Sequence, residues 1–474
     1  MNSWINILPE AILSITATLV LIISALAATP AMRDFLRWIS AFAIGSSAIA
    51  LIFVSGNLGV SPDGWTIATP FTTSISLVLL FLLGWAVLTS PVPDKAAGEW
   101  FALVLFAALG SLILARVGNL PAVFLGIEVL SLSLYILVAF RYTKKISLKG
   151  GAIYLVTAGV GSAFLVYGLA LVYAVYGTFS INDLRNAVQA SQMPLLASIG
   201  FGMFLVGTGF KLAAVPFHMW APDVYEAAPP AAAGIIASAS KGASIAAVLP
   251  FAFLLQTHLN VLMVLCGLSM IIGNLLGLRE TRVKRILAYS SVAHVGYLLL
   301  GFVSIKGGTP LVLSNAMSPE GAIVFYIMVY GLSALGAFTA LGFMRTNSVV
   351  TLNDLHGLAR KHPVPSACLL IFTLSLAGLP ISVGFWGKLY LFSAAFQAGF
   401  TKLAILGLIG SAIGLFYYLR IIVHLYMVSP EMNPRDSDPS VSSFQVGMLI
   451  LAASMVIIFS VFPDCLYHII RYTG

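Results

Sequence analysis

"LAGLPISVGFWGKLYLF", residues 376–392, carries Lys388 eight residues past Pro380 in an otherwise apolar run. A lysine there means one thing in a soluble core and another at membrane depth. Hydrophobic residues make up 60% of the 474-residue chain and charged residues only 8%. The mean hydropathy is +1.02. Soluble domains carry roughly a quarter charged residues. Apolar runs of about 20 residues, enough to cross a hydrocarbon core, recur along the whole length. Without water the backbone must satisfy itself, so such runs form helices or a closed barrel. Continuous apolar runs, rather than alternation at every second residue, select helices. The expected fold is an all-α polytopic membrane protein, with Lys388 inside a span.

About fourteen spans are expected on hydropathy, at 8–28, 36–56, 72–90, 99–115, 119–140, 149–176, 195–217, 231–255, 259–278, 286–304, 321–344, 366–399, 403–428 and 441–462. Loop charges support this count. Odd-numbered loops hold fifteen Lys and Arg, whereas even loops and the C-terminal tail hold five: Arg116, Arg185, Lys306, Lys402 and Arg471. Basic residues mark the cytoplasmic side, which places odd loops in the cytoplasm and both termini on the periplasmic side of a bacterial plasma membrane. The first apolar stretch lacks the positive flank of a signal peptide and carries Glu10, so it reads as a retained span. The net charge of +8 is spread over short loops without interleaved aromatics, which excludes nucleic acid as a partner. Cys266, Cys368 and Cys465 are isolated and read as small buried hydrophobes.

Four basic residues remain, and all fall inside spans: Lys211, Lys241, Lys388 and Arg420. Glu128 is the one acidic residue near a span's middle, and His294 lies near the centre of another. A charge at a helix centre costs about 2.5–3.5 kcal/mol. Such residues mark a polar interior path or, alternatively, a buried ion pair that locks helices together. Glu128, in "FLGIEVLSLSLYIL", is the natural partner for one of the lysines. Lys211, in "GTGFKLAAVPFHMW", precedes Pro216 by five residues, and Lys388 follows Pro380. The seventh and twelfth spans are therefore expected to be broken helices, each with a lysine near its break, in two repeated halves. Lys241, in "IIASASKGASIAAV", stands among small residues that permit close helix approach. His294 suits both a proton carrier and a satisfied core histidine. Arg420 and His424 read as snorkelling towards the membrane edge. His218, Asp223 and Glu226 either gather protons or hold their loop.

Desolvation disfavours the charged form of a buried amine, and a nearby carboxylate restores it. A chain Glu128–Lys211–Lys241–His294–Lys388 could therefore carry a proton laterally through hydrated side chains. Other chemistries find little support. "GTGFKL" lacks the third glycine and the strand of a dinucleotide fold. The histidines are not spaced for haem or zinc.

At these residues the chain resembles a known family. "KLAAVPFHMWAPDVYEAAP" (211–229), the mid-span glutamate, "YSSVAHVGY" (289–297) and "GLPISVGFWGKLYLF" (378–392) are similar to the antiporter-like membrane subunits of respiratory complex I. The likeness covers nearly the whole chain. "SVAHVGY" and the lysine of the twelfth span resemble the N-type branch, and the chain ends without the long lateral helix of the L type. The resemblance implies two inverted five-helix repeats, helices 4–8 and 9–13, within four segments: 1–98, 99–256, 257–428 and 429–474. It also implies proton translocation through Glu128, Lys211, Lys241, His294 and Lys388. Iron–sulfur clusters, flavin and quinone would belong to partner subunits, with no cofactor in this chain. The implied partners are the M-type subunit, small K-, J- and A-type subunits, and lipid. Mrp-type antiporters and membrane-bound hydrogenases share the same motifs, and a scaffold of fixed ion pairs is the remaining alternative. One departure is "EAAPPAAAG" (226–234), where the family reads Glu-Gly-Ala-Pro followed by Thr-Pro.

Overall fold

The computed structural model describes residues 3–25, 29–55, 59–61, 64–92, 96–190, 193–254, 257–305, 317–344, 350–428 and 441–467. The chain begins with α1 (Leu8–Ser24) and α2 (Pro30–Ser55), then a two-residue antiparallel pair, β1 (Gly59–Val60) and β2 (Ile67–Ala68). Next come α3 (Pro70–Thr89), α4 (Ala97–Ala115), α5 (Leu120–Ala139), α6 (Lys145–Tyr176) and the short polar α7 (Ile181–Ala190). The middle of the chain holds α8 (Leu195–Leu212), α9 (Ala221–Ala227), α10 (Pro230–Ile235) and α11 (Lys241–Val248). It continues with α12 (Leu259–Arg279), α13 (Val283–Val303), α14 (Pro319–Met344) and α15 (Leu358–Lys361). The last elements are α16 (Pro363–Ala377), α17 (Val383–Gln397), α18 (Thr401–Tyr426) and α19 (Ser443–Val461).

Helix starts follow local chemistry. Thr69 and Ser442 form capping boxes at α3 and α19 with Thr72 and Gln445. Asn119 Oδ1 accepts the Ala122 N–H at 2.8 Å to open α5. Proline occupies the first helical position of α3, α10 and α16, where its missing N–H costs nothing.

Among the described residues, 13 helices are long and apolar enough to cross a membrane. The all-α membrane fold expected from hydropathy is the fold observed. The twelfth expected span is the exception to a simple crossing. It is two helices, α16 and α17, of 15 residues each. Fifteen residues reach only about 22 Å, short of the hydrocarbon thickness. The seventh expected span also ends early. α8 stops at Leu212, and Ala213 adopts a left-handed conformation (φ +58°) before the chain turns into α9.

Several basic residues expected in loops belong to helix ends instead: Arg33 and Arg37 in α2, Lys145 and Lys149 in α6, and Lys284 and Arg285 in α13. Hydropathy cannot separate a loop from a helix's first turns, because both tolerate charge. Lys95, Lys306, Arg345, Arg435 and Arg471 lie outside the described residues.

The core runs through the chain's centre. Every residue from Ala231 to Leu249 is buried, as are all of α13 but Arg285 and Tyr289 and all of α14 but Glu320 and Gly321, whereas α1 and α19 each bury only five residues. Helices apolar on every side are buried on every side. The residues at issue sit on these central helices and on the two broken ones beside them.

Candidate functional site

Lys211, Lys241, His294 and Lys388 are all buried, with relative exposures of 5%, 1%, 3% and 5%. None snorkels. Each is held by neutral oxygen or nitrogen groups.

Lys211 sits in the last turn of α8 and donates from Nζ to Ser131 Oγ at 2.7 Å. Ser131 lies one helical turn beyond Glu128 on α5, so lysine and glutamate share a face of that helix. They do not form the expected direct pair. Among the described residues Glu128 has no ion-pair partner, and its Oε1 accepts from Ser162 Oγ of α6 at 2.5 Å. Serine is short, so it fits between the helices where two long charged side chains would not. The Lys211 ammonium also lies 5.6 Å from the centre of the Tyr154 ring. Tyr154 stacks on Trp220 with centroids 4.6 Å apart. Trp220 in turn donates from Nε1 to the Phe210 carbonyl at 3.0 Å, which it shares with the Ala213 N–H where α8 ends.

The Tyr154 hydroxyl approaches Ser240 without closing a hydrogen bond, and Lys241 is the next residue. Ile236–Ser240 form a π-helical turn between α10 and α11, placing Lys241 at the first position of α11. Lys241 Nζ donates to the Ser291 carbonyl of α13 at 2.9 Å. Ser291 Oγ hydrogen-bonds the Tyr225 hydroxyl of α9 at 3.0 Å.

His294 follows Ser291 by one turn. Both ring nitrogens are engaged: Nδ1 with the Tyr326 hydroxyl at 2.7 Å and Nε2 with the Tyr418 hydroxyl at 3.1 Å. Tyr330 stacks on the imidazole with centroids 4.4 Å apart. A cavity with room for about one water is bounded by His294, Tyr326, Tyr330, Ser333, Ser375 and Lys388.

Lys388 closes the row. Its Nζ donates to the carbonyls of Leu376 and Ala377 at 3.1 and 2.8 Å, and to Ser411 Oγ at 2.9 Å. The two carbonyls are the open C-terminal oxygens of α16, where the helix dipole favours a cation. A lysine across the break therefore caps the helix that precedes it. The ammonium also lies 5.4 Å from the centre of the Tyr297 ring.

The flanking residues resolve differently. Glu226 takes bonds from Arg282 Nη1 at 3.1 and 2.9 Å, and Arg285 bonds Asp223 and Glu280. Asp223 and Glu226 thus hold their loop against the start of α13. Burial alone raises the Glu280 carboxyl, but the backbone N–H groups of Arg282 and Thr281 and the Arg285 guanidinium hold it below the usual carboxylate range. Burial lowers His218 from its ordinary value. Arg420 does not snorkel freely. It donates to the Leu278 and Glu280 carbonyls at 2.6 and 3.2 Å, closing the C-terminal end of α12. His424 pairs with His356, Nδ1 to Nε2, at 2.8 Å.

Further charges are buried beyond those expected, among them Lys284, Arg116 and Glu10. Lys284, read as a loop residue, is 2% exposed and donates to the Glu226 and Ala228 carbonyls at 2.5 and 2.9 Å. Arg116 forms an ion pair with Glu10 at 2.6 Å, tying α1 to the end of α4. Among the described residues no group of three or more His, Cys, Asp or Glu could hold a metal ion.

A family model described as "NADH:quinone oxidoreductase/Mrp antiporter, TM" matches residues 117–414. The chain is 37% identical to NADH-quinone oxidoreductase subunit N 2 of Acidobacterium capsulatum, over 86% of each chain. It is 35% identical to the subunit N of Trichlorobacter lovleyi, over 90% of this chain and 88% of that one. Among solved structures, a chain of respiratory complex I from Thermus thermophilus superposes with a TM-score of 0.82 at 28% identity, over 97% and 98% of the two chains. A chain of the Mrp complex from a Dietzia species has the same fold, with a TM-score of 0.81 at 20% identity, over 98% and 97% of the two chains. The protein belongs to the antiporter-like membrane subunits of the NADH:quinone oxidoreductase/Mrp family, in its N-type branch.

Proposed function

We propose that this chain is a proton-translocating membrane-arm subunit of a complex I-type NADH or ferredoxin:quinone oxidoreductase, with Glu128, Lys211, Lys241, His294 and Lys388 as its relay. The observation that carries this reading is that the buried lysines have neutral partners. Among the described residues none of Lys211, Lys241 and Lys388 forms an ion pair with a carboxylate; each rests on hydroxyl or carbonyl oxygens. A scaffold of locked ion pairs would match each charge with its opposite. Amines held by neutral groups can lose and regain a proton without stranding a buried counter-charge.

The proton would enter at Glu128 and Lys211, pass Lys241 and His294, and reach Lys388 through serine and tyrosine hydroxyls and waters. The two lysine-bearing breaks support two inverted five-helix repeats, spans 4–8 (99–256) and 9–13 (257–428), flanked by 1–98 and 429–474. Flavin, iron–sulfur clusters and quinone would sit in partner subunits, and redox chemistry there would drive the relay. The M-type subunit and small K-, J- and A-type subunits are the proposed neighbours, with lipid on the outer helices. The proposed location is a bacterial plasma membrane, and the fifteen-to-five bias of basic residues supports both termini on its periplasmic side.

Isolation of the chain with its native partners in mild detergent tests the assignment. Iron–sulfur signals with NADH-dependent quinone reduction support it. A cluster-free complex that exchanges sodium for protons moves the chain to the Mrp side of the family.

A further inference from the structure

Tyr326 is a buried phenol on α14 whose hydroxyl faces the one histidine of the row. Among the described residues Nδ1 of His294 is its sole hydrogen-bond partner. Which of the two donates follows the imidazole tautomer; with the ring proton on Nε2, Tyr326 donates to Nδ1. The imidazole then carries its own proton on Nε2 and donates it to Tyr418, which also hydrogen-bonds Ser290.

The other side of Tyr326 faces Lys388. Its ring lies against Gly387, where an added Cβ would come within 2.9 Å of Tyr326 Cδ2. Tyr326, His294 and Lys388 line the same small cavity, beside Ser333 and Ser375, whose hydroxyls are 2.8 Å apart. A water there would lie among Tyr326, His294, the Ser333–Ser375 pair and Lys388. The three ammonium N–H groups of Lys388 bond the Leu376 and Ala377 carbonyls and Ser411 Oγ, so one of those bonds must open to reach the water.

We propose that Tyr326 is a proton-transfer residue that joins Lys388 to His294, a step that rests on the relay reading above. The Lys388 ammonium exchanges one of its three present bonds for one to the cavity water and gives that water a proton. The water passes one of its own protons to the Tyr326 oxygen as the original phenol proton moves to Nδ1. Lys388 is left as a neutral amine, Tyr326 and the water are unchanged in charge, and His294 becomes the imidazolium. No proton is gained or lost. Release through Nε2 to Tyr418, or return through Nδ1, resets the ring.

The test uses the assembled complex in liposomes, with NADH as donor. Reduction of an artificial acceptor by NADH reports assembly, and proton uptake coupled to quinone reduction reports the relay. Tyr326→Phe keeps the ring against Gly387 and removes only the hydroxyl. We expect wild-type acceptor reduction and a fall in coupled proton uptake of at least about tenfold. A difluorinated tyrosine at position 326 keeps the shape with a more acidic hydroxyl, and should restore uptake with its pH profile moved to lower pH. Lys388→Met separates this step from the relay itself. Loss of uptake in Lys388→Met with wild-type uptake in Tyr326→Phe overturns the role of Tyr326 alone. Wild-type uptake in Lys388→Met overturns the relay and this step together. An unmoved pH profile with the fluorinated residue overturns the proton role even if Tyr326→Phe assembles poorly.

Discussion

Lys388 Nζ donates to the carbonyl of Ala377 at 2.8 Å, reaching back across the break that separates α16 from α17. The lysine satisfies backbone oxygens that the break itself leaves open, so helix interruption and buried charge explain each other. The first break is built differently. There the Phe210 carbonyl is shared by Trp220 Nε1 and the Ala213 N–H, and Lys211 turns to the hydroxyl of Ser131.

Gly378 is the hinge of that arrangement. It has φ +75°, and an added Cβ would lie 2.8 Å from Lys388 Cδ. Gly378→Ala should destabilise the chain by roughly 1–2 kcal/mol through backbone strain and displace the ammonium from its carbonyls. Energy-coupled quinone reduction should fall while the complex still assembles, as checked by blue native electrophoresis beside activity. Wild-type coupling in Gly378→Ala would mean that the cap on α16 is dispensable.

The Glu10–Arg116 pair is buried on both sides, with side-chain exposures of 8% and 1%. Removing one member leaves the other charged and unpaired. Glu10→Ala should lower stability by about 3–5 kcal/mol, read as a lower melting temperature of the detergent-solubilised complex. The double change Glu10→Leu with Arg116→Met should recover much of that loss, because a matched apolar pair strands no charge.

The loop clasp around Asp223, Glu226 and Glu280 is acid-sensitive. Glu280 is held below its ordinary value of 4.5 by the N–H groups and guanidinium it binds, against the effect of burial. Its contribution is therefore complete above that value and is lost as pH falls through the lower, folded value. Hydrogen exchange of the 280–286 backbone, taken relative to the intrinsic rate at each pH, should be flat from neutrality to about pH 5 and rise below it. Glu280→Gln should abolish that rise while leaving neutral-pH exchange already elevated.

The membrane fold and the three central lysines were legible because charge contrasts sharply with an apolar background. Pro380 and the length of 366–399 likewise announced a broken helix. What the residue order could not show was distance. Ser162 takes the Glu128 carboxylate from 34 positions away, so the expected glutamate–lysine pair dissolved into two serine contacts. Lys284 was hidden by its company. In "RETRVKR" (279–285) it looks like one more solvated basic residue, and only the fold of α9 over it makes it buried. Tyr326 and Tyr418 are two of 17 tyrosines, and nothing local marks the pair that converges on His294. His356 and His424 meet from 68 positions apart by the same logic.

Passage of protons through the buried lysines, rather than past them, can be measured directly. The direct measurement is proton uptake per quinone reduced in liposomes holding the complete complex, with Lys211→Met and Glu128→Gln beside the wild type. Both variants should assemble and reduce an artificial acceptor normally, yet lose most energy-coupled turnover and its proton uptake. Wild-type uptake in both variants, with the complex intact, would contradict that passage and leave the lysines as structural residues.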